Sequence, residues 1–232
     1  MKFTTHVYDE LGSTNDEAIK RARADASEGT TILARSQSAG RGRQARSWKS
    51  LAGNLYTSIL LRPPVPLARA GELSFVAALA AGETVGHFGA EWKLKWPNDV
   101  LVRGRKIAGL LLEGEPGWVV LGIGINLAHS PELPDKPTTS LIAEGPLVTP
   151  EQAVQVLQER LAIHYENWLQ QGFSVIRTHW LAHAEGVGKP LVARLANNHE
   201  ERGLFETLDG DGALLLRTAD GQLRRILAGD VF

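Results

Sequence analysis

The sequence predicts an α/β (α+β) fold, a mixed central sheet with flanking helices, joined to a small all-β unit at the C-terminal side. Three observations carry this. β-rich runs alternate with helical patterns up to about residue 184, short alternating strands separated by Asn and Asp-Gly turns follow Gly186-Val187-Gly188, and no fixed-period repeat or low-complexity linker divides the chain. At 232 residues the chain has room for a main domain and an appendage. The expected division is 1–184 and 185–232.

Phe3 to Leu11 reads as a strand that runs into Gly12-Ser13-Thr14-Asn15, with a helix over Asp16 to Ala24. Thr14 and Glu17 stand at capping-box spacing. Thr30 to Ser36 and Leu55 to Leu61 are strands with a glycine- and arginine-rich loop between them. Leu73 to Phe88, rich in Ala and Leu, has helical spacing. Strands follow over Trp92 to Trp96, Val100 to Val102, Lys106 to Glu113 and Trp118 to Asn126. Thr149-Pro150-Glu151-Gln152 combines a cap, a Pro at the first helical position and an answering Gln, ahead of an apolar stripe of Val154, Leu157, Leu161, Tyr165 and Trp168. A second helix is expected over Phe173 to His183, and the tail strands over Pro190 to Ala196, Gly203 to Leu208, Ala213 to Arg217 and Gln222 to Leu227. Turns at Asn197-Asn198, Asp209 to Gly212 and Asp220-Gly221 separate them.

Composition excludes several classes. Lys plus Arg (25) nearly cancel Asp plus Glu (26), so no global field favours DNA or an anionic membrane. With no cysteine there is no disulfide, thiolate nucleophile or cysteine-ligated metal. The N-terminus lacks an apolar signal core and no apolar run reaches transmembrane length, which predicts a cytoplasmic protein. His179 and His183 stand at i, i+4 without the His-Glu-x-x-His pattern, so no zinc site is expected. A Gly-x-Ser-x-Gly elbow, a Walker loop and a dinucleotide fingerprint are all missing from the sequence.

Gln37-Ser-Ala-Gly-Arg-Gly-Arg-Gln-Ala-Arg-Ser-Trp48 is a flexible cationic loop. Gly40 and Gly42 let the backbone approach a ligand, and Arg41, Arg43 and Arg46 suit phosphate or carboxylate oxygens. A solvated surface turn is the commoner fate of such a loop; the bracketing Gln37 and Trp48 and the entropic cost of the glycines favour a ligand. Pro97-Asn98-Asp99 ends a strand with a carboxamide and a carboxylate, as a plain turn does also. Lys106 opens an apolar strand, either as an edge gatekeeper or as a charge aimed into a site. Gly122 and Gly124 alternate in a buried strand, so a helix or a ligand lies flat on that face, with Asn126 at its end.

Ser13-Thr-Asn15, Gln37 to Arg43 with Trp48, Lys95-Trp-Pro-Asn-Asp99, Lys106-Ile-Ala-Gly109 followed by Glu113, and Gly122-Ile-Gly-Ile-Asn126 together resemble the biotin-protein ligase family. The resemblance implies a class II synthetase-like ligase domain with a C-terminal SH3-like β-barrel. It also implies activation of biotin with ATP and Mg2+ to biotinyl-5′-AMP, then transfer to a lysine of a biotin carboxyl carrier protein. By that resemblance Ser13, Thr14, Asn15, Gln37, Gly40, Arg41, Gly42, Arg43, Gly109, Gly122 and Gly124 serve biotin, with Lys106 beside its carboxylate and Lys106 and Arg43 catalytic. Arg46, Trp48, Asn98 and Asn126 serve ATP, and Asp99 lies near the metal. A homodimer is a fair expectation.

The loop departs from the family's usual Gly-Arg-Gly-Arg-Arg-Gly-Arg at Gln44 and Ala45. A left-handed residue at the lost glycine would cost an alanine about 1–2 kcal/mol. The Ser-Thr-Asn motif begins at Ser13, so a ligase without a DNA-binding repressor domain is expected. A lipoate-protein ligase and a non-catalytic small-molecule or nucleotide sensor are the rivals; a nucleic-acid module ranks behind them.

Overall fold

The computed structural model describes residues 1–132, 137–195, 199–227 and 229–231. The first unit comprises strands β1 (Thr4–Leu11), β2 (Thr30–Gln37), β3 (Leu55–Leu61), β4 (Trp92–Lys95), β5 (Asp99–Val102), β6 (Arg105–Glu115) and β7 (Trp118–Ile125), with helices α1 (Thr14–Arg23) and α2 (Leu73–His87). Helices α3 (Leu141–Glu144), α4 (Pro150–Gln171) and α5 (Phe173–Ala182) follow, and then β8 (Pro190–Arg194), β9 (Glu200–Leu208), β10 (Leu214–Arg217), β11 (Leu223–Ile226) and β12 (Asp230–Val231).

The large sheet runs β1-β2-β3-β7-β6-β5-β4, parallel only between β1 and β2, so it is mixed as expected. The tail forms a five-stranded antiparallel sheet ordered β11-β10-β9-β8-β12, consistent with the expected SH3-like unit. Neither α3 nor β12 was anticipated. Ala196 and the Asn197-Asn198 turn lie outside the described residues.

Period-two alternation assigns the two faces of the sheet. Leu33, Ile59, Leu61, Val119, Leu121 and Ile123 join the core under α2 and α4, whereas Ile32, Leu60, Trp118 and Val120 pack with Ala18 and Ala22 of α1. Helix α2 is buried almost all round because it lies between the sheet and α4. Trp92 packs onto it so closely that a Cβ on Gly82 would lie 2.3 Å from the indole Cε3. Thr149 and Gln152 form the expected capping box of α4, with bonds of 3.0 and 3.2 Å. Among the described residues no helix is long and apolar enough to cross a membrane.

The other predicted box does not form. Ser13 holds the N-cap geometry, Thr14 is already helical, and Glu17 instead accepts from Tyr8 and Arg21. The physical reason is the Gln37 side-chain carbonyl, which accepts from both the backbone N–H and the hydroxyl of Thr14, at 2.8 and 3.1 Å. A partner from β2 thus replaces the local cap.

Candidate functional site

Strand register builds the floor of the site. Tyr56 and Ser58 on β3 face Gly124 and Gly122 on β7, which in turn face Gly109 and Leu111 on β6. All lie on the α1 side of the sheet, so three glycines leave a shallow bed. A loop side chain and the first turn of α1 lie on them. A Cβ on Gly124 would meet Trp48 at 2.7 Å, one on Gly109 would meet it at 2.8 Å, and one on Gly122 would stand 2.2 Å from Asn15 Oδ1. Trp48 of the cationic loop and Asn15 of α1 therefore occupy the bed.

Above it opens a cavity of about 480 Å³. Its walls bring together Ser13, Thr14, Asn15, Gln37, Arg41, Gly42, Arg43, Arg46, Trp48, Asn98, Asp99, Lys106, Gly109, Gly122, Gly124 and Asn126 from the separated motifs. Gly40 is the predicted site residue that does not reach it. It packs the root of the loop, where a Cβ would lie 2.6 Å from Ser50 Oγ and 2.7 Å from the Trp48 carbonyl.

At one end of the cavity the polar groups interlock. Gln37 Nε2 donates to Ser50 Oγ at 3.0 Å while its carbonyl holds Thr14. Ser58 Oγ lies 2.8 Å from Thr14 Oγ1 and 2.5 Å from Asn15 Oδ1, and Asn15 Nδ2 donates to Glu113 at 2.6 Å. Arg41 contacts Asp16 at 2.6 Å and Glu113 at 3.1 Å, and these carboxylates, Asp16 foremost, hold its guanidinium firmly charged. Such an end suits a neutral polar ring.

Towards the other end, Lys106 is paired with Asp99 and stands 5.3 Å from the centroid of the Trp48 ring. The lysine is thus aimed into the site and is no gatekeeper. Among the described residues the Trp48 indole N–H is buried without a partner, and isolating such a donor costs about 1–3 kcal/mol. Asn98 donates to the Leu110 carbonyl at 2.6 Å and Asn126 to the Thr139 carbonyl at 3.0 Å, so both carboxamides brace the wall as well as lining it. Burial pushes the Tyr56 hydroxyl up to about 12, and it donates to the Leu51 carbonyl at 2.8 Å.

The loop is fastened to the C-terminal sheet. Arg46 makes a two-pronged contact with Asp230 of β12 at 2.8 and 2.9 Å, and Arg43 reaches the Gly229 carbonyl at 3.5 Å. Burial pulls the Arg43 guanidinium below its ordinary value; Asp230 and Asp99 oppose that shift and Arg46 adds to it. A positive φ in the loop falls on Gln44 (55°), one residue before the alanine. Asp230, Glu113, Asp16 and Ser58 were missed as site residues. Glu113 alone carried a signal, in its place after the Lys106 to Gly109 run.

His179 and His183 do not act together. His183 stacks on Trp92 with centroids 4.1 Å apart, while His179 meets the edge of His164. Among the described residues no cluster of three metal-ligating side chains exists. Asp99 and Asp230 are the described carboxylates that line the cavity, paired with Lys106 and Arg46 respectively, a donor set that fits an ion held mainly by substrate phosphates and not a protein cage.

Comparison with known proteins bears directly on this cavity. Residues 11–129 match the model of the biotin/lipoate A/B protein ligase family, and residues 187–232 match that of the biotin protein ligase C-terminal domain. A biotin–[acetyl-CoA-carboxylase] ligase from Paracoccus denitrificans is 42% identical, over 95% of this chain and 96% of its own. The bifunctional ligase/repressor BirA of Bacillus subtilis is 34% identical over 97% of this chain, which spans 72% of that protein. Among solved structures, the biotin protein ligase of Aquifex aeolicus in complex with biotin and ATP superposes with a TM-score of 0.84 at 25% identity, covering 99% of this chain and 97% of the other.

Proposed function

The chain belongs to the biotin/lipoate A/B protein ligase family, and from that premise we propose how its cavity activates biotin with ATP and passes it to a carrier protein. The observation that carries the proposal is that five motifs scattered between Ser13 and Asn126 line one cavity. Its polar end, around Thr14, Gln37 and Arg41, takes the ureido ring. The glycine bed takes the body of the substrate, and Lys106 takes the carboxylate.

In the first step a biotin carboxylate oxygen attacks the α-phosphorus of ATP. The bond from that phosphorus to the bridging oxygen breaks, and pyrophosphate leaves with the electron pair. A carboxylate is ionised near neutral pH, so no general base is required. Positioning and charge neutralisation by Lys106 and Arg43 supply the catalysis. Arg46, Trp48, Asn98 and Asn126 orient the nucleotide. Asp99 is the side chain that would hold a Mg2+ ion, which would supply neutralisation of phosphate charge. In the second step the ε-amine of a carrier lysine attacks the acyl carbon, AMP departs and the amine loses a proton. Until then the arginine-bearing lid keeps water from the mixed anhydride.

A catalytic unit over 1–184 and a C-terminal unit over 185–232 fit this division of labour, with a biotin carboxyl carrier protein as acceptor. We assign the reaction to the cytoplasm, where ATP and carrier meet, and include pairing of two copies through a sheet edge, which sedimentation tests. The direct test of function is biotin-dependent exchange of labelled pyrophosphate into ATP, followed by mass spectrometry of the carrier for added biotin. Exchange dependent on lipoate would assign the chain to the family's other branch, and exchange with neither acid would make it a sensor.

A further inference from the structure

We propose that Glu113 is a positioning residue for biotin, setting both the orientation and the charge of the head-group end from behind the cavity wall. The inference rests on the biotin assignment above. Glu113 lies on β6 opposite Val120, on the site face but outside the lining of the cavity. Its carboxylate is shared between two residues that do line it. Oε2 accepts from Asn15 Nδ2 at 2.6 Å, and the two oxygens stand 3.2 and 3.1 Å from Arg41 Nη2.

Each partner is confined by this contact. Asn15 fits into the space left by the bare Gly122 and is held by Ser58 Oγ at 2.5 Å from its carbonyl oxygen and by Glu113 at its amide nitrogen, so its orientation at the start of α1 depends on Glu113. Arg41 gives the same nitrogen, Nη2, to Asp16 at 2.6 Å and to Glu113. Arg41 also lines the cavity, and among the described residues its Nε and Nη1 make no hydrogen bond, so the rest of the fork stays available to a ligand there. One guanidinium between two carboxylates is locally over-neutralised, which favours an uncharged head offering a hydrogen-bond acceptor and disfavours an anionic one. Glu113 thus acts on recognition at one end of the cavity, remote from the Lys106 and Asp99 pair where the bond changes occur.

The test uses the full chain with Glu113→Gln and Glu113→Ala in the pyrophosphate exchange assay. Glu113→Gln preserves shape and an acceptor for Asn15 but removes the negative charge that faces Arg41. It should raise the KM for biotin about tenfold, the scale of one charge-assisted hydrogen bond, with kcat and the KM for ATP within about twofold. Glu113→Ala should raise it further. In an Arg41→Ala background, Glu113→Gln should add less than about twofold, because the shared contact is already gone. An unchanged biotin KM in both single variants would overturn the role, as would a parallel loss in kcat and ATP KM or full additivity with Arg41→Ala. Wild-type exchange that responds to lipoate and not to biotin would instead reject the biotin assignment, a result separable from any behaviour of the variants.

Discussion

Removing the Asp230 carboxylate should unfasten the lid. Arg46 and Asp230 form a two-pronged pair at 2.8 and 2.9 Å, with side chains 46% and 25% exposed. Solvent at that exposure screens the pair, which limits its worth to about 0.5–1 kcal/mol despite the geometry. The second tether, Arg43 to the Gly229 carbonyl at 3.5 Å, is too long to compensate. Asp230→Ala should therefore raise the open population of the lid about two- to fivefold, in proportion to the lost pair. Tryptic cleavage after the lid arginines, under conditions where reclosure outpaces cutting, reads that population directly. The rate at which biotinyl-5′-AMP escapes should rise by a similar factor. The difference should shrink as salt is added, since an exposed pair is screened. Cleavage of Asp230→Ala at the wild-type rate in low salt would refute the reasoning, and so would a difference indifferent to ionic strength.

Lys106→Ala should cut pyrophosphate exchange at least about a hundredfold while the dissociation constant for biotin changes less than about tenfold, because the cation acts on charge that develops in the transition state; equal losses would reject the role. Gln44→Gly should slow tryptic nicking of the lid and Gln44→Val should speed it, since the residue holds φ 55°, a conformation costing a β-branched side chain most. His183 titrates below its ordinary value, first through burial and then through Lys93 and His179, with Glu83 opposing. Its folded form prefers the neutral ring, so stability is full above the ordinary value of 6.5 and is lost as pH falls through that value towards the folded one. Urea midpoints at pH about 7.5 and about 5.5 should differ less in His183→Phe, which keeps the stack on Trp92, than in wild type.

Much of the site was legible because its residues break local rules. Gly122 and Gly124 weaken a buried strand and announced that something lies upon them, though only the register shows that Trp48 and Asn15 do. Lys106 stood open between gatekeeper and site charge until the pairing with Asp99 decided it. Thr149 to Gln152 was read correctly because a capping box is wholly local, whereas the Thr14 and Glu17 box failed to a competitor 23 residues away in Gln37. Asp230 could not be found at all. It lies on a two-residue strand with no periodicity to detect, and it forms an ion pair with an arginine 184 positions earlier.

That separation has a consequence for how the enzyme is born. Arg46 and its carboxylate are 184 positions apart, so a ribosome extending the chain at about 5–20 residues per second exposes the arginine some ten to forty seconds before the clasp can close. The cavity is walled by early-synthesised segments and latched by a later one. A nascent chain stalled short of β12 would lack the carboxylate that latches the cover.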